Sequence, residues 1–230
     1  MQRFLFALLI TAVTGLSLPA STAPAFARTS CSTTISGGTI NGGLDVVSGT
    51  CILNGVQVNG GVSVSGTGGL FVNGSKIDGG VQVNTTGVFW LCSAAGTAST
   101  IASTVNGGVI VTKAAVTQIG GDDTDSAVPT QDNNPRPSIA GTTVACGAGQ
   151  TVNGGVRISG VVGSTSGRPV ELDSANINGG VQITSNPKVA VEVEDNNIKG
   201  ELQCSGNLSV TNDGKPNSVN GGESGQCAGL

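Results

Sequence analysis

The phrase Val-Asn-Gly-Gly-Val stands at residues 58–62, 105–109 and 152–156, and relaxed versions begin at Ile40, Ile77, Ile177, Ile198 and Val219. Eight occurrences from end to end make the chain a repeat array, so one small structural unit must serve many times over. The aligned Asn column lies at 41, 59, 78, 106, 153, 178, 199 and 220, with Asp at 78 and Lys at 199, giving steps of 18, 19, 28, 47, 25, 21 and 21 residues. A fixed core with insertions of variable length is the sequence form of a solenoid, whose repeats stack only on their neighbours.

The residue before each Asn position is Ile or Val in all eight units, so that column faces inward. After the two glycines come alternating pairs: Leu44 and Val46, Val62 and Val64, Val81 and Val83, Val109 and Val111, Val156 and Ile158, Val181 and Ile183, Leu202 and Cys204. A period of two means strand, and the density of Gly excludes helix. Further apolar pairs, such as Leu70 with Val72 and Val189 with Val191, supply another strand per unit. Each unit therefore reads as strand, turn, strand, turn, strand. The fold class expected is all-β, a single-stranded parallel β-helix of about eight short coils with one long loop insertion. The NGG phrase is expected to form the bend, with Gly and Asn visiting the left-handed region, and the stacked Asn amides to form a ladder at the ~4.8 Å strand spacing.

Residues 1–27 are expected to be a signal peptide: Arg3, an apolar run over 4–18, and the small-residue site Ala25-Phe26-Ala27, with the cut after Ala27. The domain then occupies 28–230. No second apolar span follows, so no membrane span is expected in the mature form, and the chain is placed outside the cell or in the cell envelope. Six Cys fit an oxidising compartment and three disulfides. The 20- and 23-residue separations of Cys31 from Cys51 and Cys204 from Cys227 match one coil each, and Cys92 with Cys146 pair by elimination. A net charge of −4 without a basic stripe excludes nucleic acid as a partner.

The longest insertion, 120–137, is polar and Pro-rich and is expected to project as a loop. Its acids Asp122, Asp123, Asp125 and Asp132 are the only weak candidates for a metal, but they lack the spacing of a calcium loop, so neither metal nor cofactor is expected. In the last unit Glu223 takes an inward Val position, and 220–230 reads as a cap that favours a monomer.

The V-x-N-G-G-V-x-V units with an L-x-V strand between them resemble right-handed parallel β-helix proteins of the pectate-lyase-like superfold. The run IKGELQCSGN and the later NSVNGGESGQC look like the tail of a group of secreted bacterial β-helix proteins, mostly uncharacterised. The resemblance covers roughly 31–230 and implies right-handed coiling and placement of the cysteines; it implies little about activity. Filament-forming bactofilins share a short-coil pattern but resemble the chain less.

Were the superfold's lyases and hydrolases the guide, carboxylates would cluster on one outward column. That column instead reads Asp45, Ser63, Gln82, Ile110, Arg157, Gln182 and Gln203. The chain has no His, which removes His-dependent nucleophilic catalysis. Glu192 and Glu194 alternate with Val189, Val191 and Val193 and read as ordinary outward residues, with nothing to place them beside Asp173. Phe89 and Trp90 are expected to divide, one in the core and one covering the insertion that follows. The expectation is an exported, non-enzymatic structural or binding module. Its ligand-binding residues would be Ser63, Gln82, Arg157, Gln182 and Gln203, and its partner a polysaccharide or cell-wall surface. The alternatives are a carbohydrate-active enzyme of the pectate-lyase-like kind and, third, an ice-binding surface that Lys76 would spoil.

Overall fold

The computed structural model describes residues 27–94, 101–121, 138–139, 142–143, 146–163 and 169–230. Among them there is no helix, and the strands fall into three parallel sheets that run the length of the molecule, apart from a small antiparallel pair, Ser138–Ile139 with Thr142–Thr143, and the strand Cys146–Gly147, which pairs antiparallel at the edge of one sheet. The chain visits the three sheets in turn, coil after coil, which is the parallel β-helix that the repeats require. The expected insertion acids Asp122, Asp123, Asp125 and Asp132, and residues 1–26, lie outside the described residues.

The first face begins straight after each NGG phrase and includes strands Val62–Gly66, Val81–Thr85, Val109–Lys113, Val156–Ser159, Val181–Thr184 and Leu202–Ser205. The second face includes Thr50–Asn54, Gly69–Asn73, Val88–Ala94, Val116–Gly120, Val170–Asp173 and Ala190–Glu194. The third consists of two-residue strands such as Gln57–Val58, Thr104–Val105 and Asn176–Ile177, whose second member is the β-branched residue before Asn. Two residues suffice there because one side chain per rung is all that the third wall contributes to the core.

The inward columns meet along the axis. Val62, Val64, Val81, Val83, Val109, Val111, Val156, Ile158, Val181 and Ile183 are each 2 % exposed or less, and so are Val58, Ile77, Val105, Val152 and Ile177 opposite them. Burying one such side chain contributes about 1.5–3 kcal/mol, so every coil is held mainly by the inward side chains of its three faces. Phe89 joins this core, while Trp90 points to the outer side of the second face and packs on Phe71 with ring centroids 6.0 Å apart.

The NGG bend works differently from the expectation. No glycine of the six inner phrases adopts a left-handed φ; only Gly42 (φ 103°) and Gly222 (φ 87°), in the terminal phrases, do so. What excludes a side chain is the neighbouring coil. A Cβ on Gly107, Gly154 or Gly179 would stand 2.6 Å from the backbone nitrogen of Gly80, Gly108 or Gly155 respectively. The first glycine of the phrase is therefore a stacking requirement, because backbones meet at the corner with no room for a methyl group between them.

Disulfides tie the two ends. Cys31 bonds Cys51 with Cα atoms 5.4 Å apart, and Cys204 bonds Cys227 at 5.1 Å. Both join adjacent coils, as the one-coil separations indicated, and both fit an oxidising compartment. Cys92 is also disulfide-bonded. Strand Cys146–Gly147 pairs antiparallel with Val88–Ala94, setting Cys146 opposite Ala94 in the backbone register; the Cys146 side chain lies outside the described ones.

Candidate functional site

Each first-face strand turns its second and fourth residues outward and so carries surface columns parallel to the axis. Ladder register places Asp45 opposite Ser63, Ser63 opposite Gln82, Gln82 opposite Ile110, Ile110 opposite Arg157, Arg157 opposite Gln182, and Gln182 opposite Gln203. The five residues expected to form a row therefore do stand in one column, one rung of about 4.8 Å apart except where Ile110 intervenes. Gln182 Nε2 donates to Gln203 Oε1 at 2.9 Å, which fixes both amides edge to edge. Arg157 is exposed, and Ile110 is 40 % exposed.

Two residues before Ser63, Gln82, Ile110, Arg157 and Gln182, on the same outward side, stands the second glycine of the NGG phrase: Gly61, Gly80, Gly108, Gly155 and Gly180. Without side chains these positions leave a furrow beside the row. Its longer part, about 490 Å³, is lined by Gly108, Gly155, Gly180, Ile110, Arg157, Gln182 and Gln203 and ends at Glu201, which replaces the glycine of the next coil. Its other end, about 420 Å³, lies among Arg28, Asp45, Gly61, Ser63, Gly80 and Gln82. Each glycine carbonyl accepts a backbone N–H from the preceding coil, as Gly108 does from Val81 at 2.9 Å and Gly155 from Val109 at 3.0 Å. A carbonyl has two lone pairs, so one remains on each.

The expected Asn ladder is present at the corner between the third and first faces. Asn59 Nδ2 donates to Asn41 Oδ1 at 2.8 Å, Asn153 to Asn106 at 2.8 Å and Asn178 to Asn153 at 2.6 Å. Asp78 takes the acceptor role under Asn106 Nδ2 at 2.7 Å. The Lys76 ammonium, 2.7 Å away, and the Gln57 amide hold the Asp78 carboxyl below the usual range of an Asp. The small stability this brings is present at neutral pH and is lost on acidification through the lowered value. These amides satisfy one another, so the ladder reads as structural.

The repeat phrase did not disclose two further ladders, which are buried at the other corners. Asn196 Oδ1 accepts from the Ala175 amide at 3.0 Å, while Asn196 Nδ2 donates to Leu172 O at 2.7 Å and to Asn217 Oδ1 at 2.9 Å. Asn186 does the same for Val161 N at 2.9 Å and donates to Asn207 Oδ1 at 2.9 Å. Asn73 and Asn207, which begin N-x-S/T sequons, are thus buried structural residues, whereas Asn84 is exposed.

The second face corrects the reading of Glu192 and Glu194 as ordinary outward residues. Glu171 stands opposite Glu192 and Asp173 opposite Glu194, and all four are buried, none more than 6 % exposed. Above them the same outward column holds Gln118, Trp90, Phe71 and Ile52. The strand alternation is as expected, but this side of the sheet is not solvent. Each of the four acids is engaged, Glu194 with Lys215 Nζ at 3.5 Å among others. Trp90 is buried on the same side, so its ring is closed to a ligand, and its Nε1 finds no hydrogen-bond partner. No group of His, Cys, Asp and Glu suited to a metal ion occurs among the described residues. No protein-family model, curated protein or solved structure matches the chain.

Proposed function

We propose that this protein is an exported, non-enzymatic β-helix whose first face binds an extended glycan of a cell wall or extracellular matrix. The observation that carries the reading is the in-register row Ser63, Gln82, Arg157, Gln182 and Gln203, flanked by the glycine-floored furrow. A periodic array of hydroxyl, amide and guanidinium groups suits a periodic polymer, because each sugar unit can meet an equivalent set of donors and acceptors. The furrow gives the polymer a track along the axis. The described carboxylates that neighbour one another in register are on the second face and buried, which is why binding rather than acid–base cleavage is the function proposed.

Without an aromatic platform on this face each hydrogen bond adds only about 0.5–1.5 kcal/mol net. Affinity should then be micromolar to millimolar and should rise with chain length as more rungs engage. The double variant Arg157→Ala with Gln182→Ala tests the reading by pull-down on insoluble cell-wall polysaccharides, with circular dichroism to confirm the fold. Retention is expected to fall at least roughly thirtyfold, since one charge-assisted and one neutral contact, about 2 kcal/mol or more together, are lost. Unchanged retention by a folded variant would make the row a solvated surface and nothing more.

A further inference from the structure

The N-terminal end of the furrow is already occupied by a side chain of the protein itself. Arg28 lies along it: Nε donates to Asp45 Oδ1 at 2.6 Å, and Nη2 donates to Leu44 O at 2.7 Å and to Gly61 O at 3.3 Å. Gly61 O also accepts the Leu44 amide at 3.0 Å, so the guanidinium uses its second lone pair. Any side chain on Gly43 would run into the guanidinium, which shows how closely Arg28 follows the glycine column.

We propose that Arg28 is a built-in competitor for this end of the furrow. It holds the Asp45, Gly43 and Gly61 subsite against ligand and so shortens the track available to a polymer. The inference rests on the reading of the first face as a glycan surface and adds what the furrow recognises. Recognition is of hydrogen-bond donors, taken by the outward lone pairs of glycine carbonyls, as Gly61 takes Arg28. Sugar hydroxyls are donors of that kind, and the same lone pair is available at Gly80, Gly108, Gly155 and Gly180. The latch is weak by construction, because the Arg28 and Asp45 side chains are 43 % and 37 % exposed and such ion pairs are screened by solvent. A ligand that engages the furrow farther along can therefore displace it.

The test is amide NMR on the whole chain with two probes, the neutral glycan cellohexaose and L-arginine amide, each titrated into wild type and Arg28→Ala. Cellohexaose should shift the amides of Gly108, Gly155 and Gly180 in both proteins, and of Gly43 and Gly61 only in the variant, with affinity two- to fivefold higher there. L-arginine amide should find a site at Gly43 and Gly61 in the variant and none in wild type. A variant in which neither probe reaches Gly43 or Gly61 overturns the competitor, even if cellohexaose still binds at Gly108 to Gly180. L-arginine amide seated at Gly61 while cellohexaose shifts no amide keeps Arg28 as the occupant but overturns the glycan as its rival.

Discussion

A methyl group on Gly179 would stand 2.6 Å from the backbone nitrogen of Gly155, whereas one on Gly180 would stand 3.2 Å from the carbonyl of Glu201. The first distance is shorter than two atoms in contact allow, and the atom it meets is backbone, so the coil itself must move. The second needs a shift of a few tenths of an ångström, and the next coil already carries Glu201 at the equivalent position. Gly179→Ala is therefore expected to cost about 1–3 kcal/mol, the range for overpacking a close contact. Gly180→Ala should cost less than half as much, because a less flexible unfolded chain offsets part of its strain. Urea unfolding followed by circular dichroism compares the two, and equal costs would mean that the corner yields more easily than its geometry shows. That glycine is needed here was legible from the phrase itself. The reason was not: the sequence suggests a left-handed turn, while the constraint comes from a backbone one coil away, which no local reading contains.

At the scale of the element, the corner decides what each column must hold, and the three corners were unequally legible. The NGG corner repeats one residue type in nearly every coil, so its ladder of Asn41, Asn59, Asn106, Asn153 and Asn178 stood out. At the corner before the third face the corresponding column holds Val56, Ser75, Ser103, Gln150, Ala175, Asn196 and Asn217. Its Ser and Asn members share a task and not an identity, each side-chain oxygen accepting a backbone amide of the coil before. Ser75 Oγ accepts the Val56 amide at 2.9 Å just as Asn196 Oδ1 accepts that of Ala175 at 3.0 Å. The acidic stack on the second face escaped for a related reason, since alternation tells which side of a sheet a residue faces and not whether more chain lies over that side. Burial sets the energetic order of the ladders. Asn196→Ala removes partners from the Ala175 amide and the Leu172 carbonyl in a site only 1 % exposed, and each group left unsatisfied costs about 1–3 kcal/mol. Asn153→Ala opens an exposed ladder to water and should cost about 1 kcal/mol or less. Thermal unfolding of both variants checks the order, and an Asn153→Ala protein as unstable as Asn196→Ala would make the outer ladder a principal brace.

For the whole molecule, a solenoid has no contacts between distant coils, so its stability is a chain of neighbour terms and its ends are the places where it opens. The disulfides sit where that argument puts the greatest need: Cys31–Cys51 holds the first coil to the second, and Cys204–Cys227 holds the last turn to the coil before it. At the C-terminal end the inward column changes from Leu202 to a partly exposed Glu223, whose Oε2 accepts the Gly229 amide at 3.0 Å, so little apolar burial holds the last turn without the covalent link. Closing a loop across 23 residues restricts the unfolded chain by about 3 kcal/mol in the loop-entropy picture. The double variant Cys204→Ala with Cys227→Ala should therefore lose amide protection against hydrogen exchange over roughly residues 202–230, while coils built on Val105, Val152 and Ile177 keep theirs. The local loss follows from the neighbour-only contacts, because an opened last coil exposes the next edge and withdraws nothing from coils farther in. Protection lost evenly from Val58 to Val219 would show instead that the coils unfold as one cooperative unit, and that the disulfide guards the whole array rather than its end.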